Sequence, residues 1–178
     1  MANKGGIITG VITLVIGGTV FSLSKADIAK NFSKDTGMSQ QQAEQYVENI
    51  NKDDLVSYDK LGSDMSSDGQ DILDLSSKLD CENYTYDWEI VSLSCKEGRS
   101  QLVKLGNDEI SLGKAYIALA SDSASENDMS LAINLIDKVN SDLDLEIIDQ
   151  LLDRSAIDET KKTNSYNKAL LQTALDSQ

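Results

Sequence analysis

The chain has 178 residues and an acidic balance of 30 Asp+Glu against 16 Lys+Arg, a net charge of −14 with no histidine and no proline. Such a surface repels phosphate backbones and anionic head groups, which argues against a nucleic-acid partner. Without histidine the usual neutral-pH general base is missing, Ser–His and Cys–His nucleophile pairs cannot form, and two cysteines alone cannot fill a zinc shell. No catalytic residue, metal ligand or cofactor-binding residue stands out.

The first predicted element is the run from Gly5 to Ser24. It carries no charge and holds ten Ile/Val/Leu/Phe, five Gly, three Thr and two Ser. As a helix, twenty residues span roughly 30 Å, the thickness of a bilayer's hydrocarbon core. Residues 5–24 therefore read as a transmembrane anchor. A cleaved signal sequence, with Lys4 as its basic start, and a buried core helix are the alternatives. Gly6, Gly10, Gly17 and Gly18 fall near one helical face, with G-x-x-x-G over 6–10, and would let a second membrane helix approach closely.

Ala26, Ala29 and Phe32 continue a helical pattern towards Gly37, a natural stop, so residues 25–37 read as a juxtamembrane helix extension. Residues 38–178 read as an acidic, soluble helical domain. Four serines stand three residues before an acid or amide: Ser39–Gln42, Ser67–Gln70, Ser125–Asp128 and Ser155–Asp158. Each spacing predicts a capping box at a helix start. Apolar residues follow at helical intervals: Ala43, Tyr46, Val47 and Ile50; Ile72, Leu75 and Leu79; Met129, Ala132, Ile133, Ile136 and Val139; Tyr166, Leu170 and Ala174. Leu102 to Ala120 is a further helical run despite Gly106 and Gly113, and Leu145, Ile148 and Leu152 mark a short one.

One segment changes period. Tyr84, Tyr86, Trp88 and Ile90 alternate with Thr85, Asp87 and Glu89, the pattern of a half-buried strand. Cys81 and Cys95 enclose it. An even cysteine count beside an export or anchor segment predicts a disulfide, and closing a 15-residue loop would add about 3 kcal/mol of stability. A disulfide in turn places the domain outside the cytoplasm. The fold expected is mainly α: an N-terminal transmembrane helix, then a small bundle with a short β-hairpin or closed loop.

Two partial resemblances complete the reading. Asp64-Met-Ser66-Ser-Asp68-Gly69 resembles the opening of an EF-hand calcium loop, but Asp71 and Leu75 stand where that family has an apolar residue and a bidentate Glu. Lys4-Gly5 before an apolar run, an amphipathic continuation and a later cysteine pair are similar to type IV pilins. That likeness covers little beyond 35 residues, and the early Glu of the family is absent.

The function expected is that of a non-enzymatic, single-pass membrane-anchored interaction or scaffold protein, or an accessory subunit of a membrane assembly. A pilin-like filament subunit and a carboxylate-dependent hydrolase are the alternatives. The membrane would be met through the N-terminal helix, and a protein partner or a second copy through the acidic domain. Tyr84, Tyr86 and Trp88 are the partner-binding candidates, since Tyr and Trp dominate interface hot spots.

Overall fold

The structure is a computed structural model and describes residues 10–50, 57–82, 94–151 and 153–178. It opens not on a helix but on an antiparallel hairpin of β1 (Val11–Ile16) and β2 (Thr19–Ser24). The pairing runs from Ile16 opposite Thr19 to Val11 opposite Ser24. Gly17 and Gly18 form the two-residue turn at φ +57° and +70°. Positive φ at both central positions is what a type I′ turn demands, and it suits the right-handed twist of the strands.

The transmembrane helix expected over residues 5–24 is therefore corrected. The run alternates, with Ile12, Leu14, Ile16, Phe21 and Leu23 buried and Val11, Thr13, Val15, Val20 and Ser22 exposed. β-Branched residues favour this period-2 surface over a helix, and two adjacent glycines reverse the chain at its midpoint. Gly10, Gly17 and Gly18 accordingly lie at the start and the turn of a hairpin rather than on a membrane-helix face, and Gly6 lies outside the described residues. Among the described residues no helix is long and apolar enough to cross a membrane.

Among the described residues seven helices follow: α1 (Lys25–Thr36), α2 (Gln40–Asn49), α3 (Tyr58–Lys78), α4 (Cys95–Ala120), α5 (Glu126–Asp142), α6 (Glu146–Leu151) and α7 (Arg154–Asp176). α1 ends as expected at Gly37, which takes φ +69° and donates its N–H to the Ser33 carbonyl. Capping boxes form at Ser39–Gln42 and Ser125–Asp128. The other two predicted starts are displaced. α3 begins ten residues before Ser67, where Ser57 Oγ accepts from the Lys60 N–H. α7 is capped by Asp153, which accepts from the N–H of Ser155. A further capping box, Ser94–Glu97, opens α4.

α3 and α4 form an antiparallel pair held close by glycines seven residues apart on each helix. A β-carbon on Gly69 would stand 2.6 Å from the Gly106 carbonyl oxygen, and one on Gly113 would stand 2.6 Å from that of Gly62. The two backbones touch there, which explains why glycines sit inside two long helices at a propensity cost of about 1 kcal/mol each. Cys81 and Cys95 are disulfide-bonded, their Cα atoms 5.5 Å apart, and tie the end of α3 to the start of α4. The Asp64–Gly69 stretch is part of helix α3, so it does not wrap an ion as an EF-hand loop does.

The remaining helices enclose one apolar core. Ile28, Ala29 and Phe32 of α1, Leu112, Tyr116 and Leu119 of α4, Ile136 and Val139 of α5, and Leu170, Leu171 and Ala174 of α7 are buried in it with the hairpin's inner face. Polar links fix the outer contacts. Asn31 donates to Thr173 across α1 and α7 at 3.1 Å, and Lys168 of α7 bridges Asp35 of α1 and Asp137 of α5.

Candidate functional site

Two adjoining features around β1 distinguish this surface. The first is the outward face of the hairpin. Val11, Val15 and Val20 are 58%, 55% and 63% exposed, and no residue from Val11 to Ser24 is charged. In a chain of net charge −14 this is the largest uncharged stretch. The strand edge adds hydrogen-bonding capacity. Ile16 and Thr19 flank the turn as a hydrogen-bonded pair, and the Lys25 N–H donates to the Gly10 carbonyl at 3.1 Å in the same phase. The alternate residues Val11, Thr13 and Val15 therefore direct their backbone groups away from β2, and no backbone partner meets them among the described residues.

The second feature is a cleft of about 550 Å³ that this edge borders. Thr13, Leu14 and Val15 form one wall; Tyr46 and Ile50 of α2, Tyr58 and Leu61 of α3, and Tyr166 and Leu170 of α7 form the others. Ser57, Thr163 and Asn167 add neutral polar groups, and among the described residues no charged side chain lines it. Phe32 stacks on Tyr46 at 4.8 Å between ring centres, Tyr46 meets Tyr166 edge-on at 6.2 Å, and Tyr58 stacks on Tyr116 at 5.5 Å. Four of the chain's six tyrosines thus gather in and behind this cleft.

Their hydroxyls are unusual. Tyr58 and Tyr166 are 7% and 6% exposed, yet their Oη atoms, with that of Tyr116, have no hydrogen-bond partner among the described residues. Burial pushes the Tyr166 phenol up to about 12, with Tyr46 adding to it, and burial likewise raises the phenols of Tyr58 and Tyr116. All three stay protonated, as donors in search of an acceptor.

A third group lies apart from the cleft. Glu109 of α4 is 7% exposed, and its Oε2 has no partner. Burial first, and then the neighbouring Asp68 of α3, push its carboxyl up to about 7. Among the described residues there is no group of three or more acids, cysteines or histidines placed to hold a metal ion. Among the described residues no carboxylate lines the cleft, and Glu109 and Asp68 are not part of its wall.

Of the residues singled out from sequence, Cys81 and Cys95 are joined, whereas Tyr84, Tyr86 and Trp88 lie outside the described residues. The tyrosine cleft itself was missed, because Tyr46, Tyr58, Tyr116 and Tyr166 sit on four different helices. No family model matches the chain, and neither a curated protein nor a solved structure matches it.

Proposed function

We propose that this is a non-enzymatic interaction protein that associates with a second copy of itself through β1. The observation that carries this reading is the uncharged, valine-bearing outer face, whose strand edge is unpaired among the described residues. Copies of a chain at −14 repel one another through their net charge, and among the described residues the hairpin offers an uncharged face on which they can meet. The strand is also self-complementary. In Val11-Ile12-Thr13-Leu14-Val15, an antiparallel pairing centred on Thr13 sets Val11 opposite Val15 of the second copy and Thr13 opposite itself. A two-fold contact needs such a surface, and a bare strand edge is the natural template for one.

The disulfide supports an extracytoplasmic setting for this domain, where such bonds persist. The pilin-like alternative loses its main feature, since the apolar run forms a hairpin and not the long helix that the resemblance implies.

Sedimentation velocity of the full chain, from micromolar to millimolar concentration, tests the reading. The expected result is a reversible dimer that tightens as salt screens the like charges. Val11→Asp with Val15→Asp, both at exposed positions, is expected to return a folded monomer. A wild-type chain that stays monomeric at every concentration and salt would sink the proposal.

A further inference from the structure

We infer that the tyrosine-lined cleft is a binding site for a small, uncharged, largely apolar molecule bearing a hydrogen-bond acceptor such as a ketone, quinone or ester carbonyl. The inference does not rest on dimerisation; it rests on three features of the cleft. Its volume of about 550 Å³ lies within the range of small-molecule sites, which are mostly apolar with a few polar groups that set orientation. Leu14, Ile50, Leu61, Ala120 and Leu170 supply the apolar wall.

The second feature is the pair of orphan hydroxyls. A buried hydroxyl without a partner forfeits its bonds to water and gains nothing in return, so native proteins rarely tolerate it. Here Tyr58 and Tyr166 both do so, and both line the same cleft. Phenylalanine at either position would fill the same volume without that penalty. A guest carbonyl accepting from one or both hydroxyls would satisfy them.

The third feature is the neutral character of the described lining. Among the described residues no Lys or Arg lines the cleft, so an anionic guest would surrender its hydration with no counter-charge from them. No described Asp or Glu lines it either, which disfavours a cation by the same reasoning. Neutrality is therefore part of the specificity.

A neutral naphthyl ketone dye, 6-propionyl-2-dimethylaminonaphthalene, is a suitable probe, since its emission shifts on leaving water and responds to hydrogen bonding at the carbonyl. The expected result with the full chain is saturable one-to-one binding. Tyr58→Phe with Tyr166→Phe, which removes two oxygens and leaves both rings, should weaken it about tenfold. Leu61→Trp, which fills the cleft, should abolish it in a chain whose circular dichroism and melting are unchanged. A sulfonated analogue of the dye should bind more weakly than the neutral one. The inference is overturned if the wild type shows no saturable binding. It is equally overturned if the double Phe variant binds as tightly as the wild type, or if the sulfonated dye competes on equal terms.

Discussion

Replacing Glu109 with Gln should make the protein more stable, and only at neutral to alkaline pH. Glu109 is buried where α4 meets α3, flanked along its helix by Gly106 and Gly113, with one carboxyl oxygen unpartnered and Asp68 nearby. Its carboxyl is pushed up to about 7 from an ordinary 4.5, so the folded state holds the proton more tightly than the unfolded chain does. The stability linked to that proton is complete below pH 4.5, falls as the pH rises towards 7, and is lost above it. At about 1.4 kcal/mol for each pH unit of that difference, the wild type surrenders roughly 3 kcal/mol by pH 8, an upper figure because local opening admits water. Gln keeps the shape and never ionises. Urea unfolding of both proteins at pH 5 and pH 8 reads the difference directly, because every other carboxylate is common to the two. The variant should gain about 2–3 kcal/mol on the wild type at pH 8, and much less at pH 5. An equal gap at both pH values would refute the reasoning, since a packing or hydrogen-bond change does not titrate.

Three further outcomes are expected. Gly17→Ala should destabilise the protein by about 1–3 kcal/mol in thermal unfolding, because φ is +57° and the new β-carbon would stand 2.5 Å from the Ala124 carbonyl oxygen; were this segment a helix, the same change would stabilise it by about 1 kcal/mol. Reducing the Cys81–Cys95 bond should cost about 3 kcal/mol in urea unfolding with and without reductant. Gly69→Ala should lose about 1–3 kcal/mol despite the better helix former, since its methyl group meets the Gly106 carbonyl, whereas Gly37→Asn at the open end of α1 should cost little by the same measurement.

The helical part of the fold was legible where chemistry and position are local. Ser39, Ser125 and Gly37 announce helix ends through bonds made within four residues of themselves. Ser94-Cys-Lys-Glu97 carries the same signal at the start of α4, although no apolar helical pattern begins until Leu102. Ser67 misled for the opposite reason. A capping serine and an interior serine look alike until the partner helix is known, and here Gly62 and Gly69 are contact points rather than breaks. The hairpin was legible too, in Gly17-Gly18 between alternating β-branched residues, but the count of uncharged residues outweighed the period. Hydropathy totals are blind to which face a residue occupies. The cleft was not legible at all, since its tyrosines are brought together by packing between α2, α3, α4 and α7, which no local pattern encodes.

The contact between α1 and α7 has a consequence for how the chain matures. Asn31 waits for Thr173, 142 residues later, and the hairpin's inner face and Phe32 share one core with Leu170, Leu171 and Ala174. α3 and α4, by contrast, are neighbours in sequence and can pair as soon as both have left the ribosome. The hairpin and α1 are thus made well before α7, and the part of their apolar surface that packs on Leu170, Leu171 and Ala174 stays uncovered until α7 has been synthesised, an interval in which chaperone binding would favour the native protein.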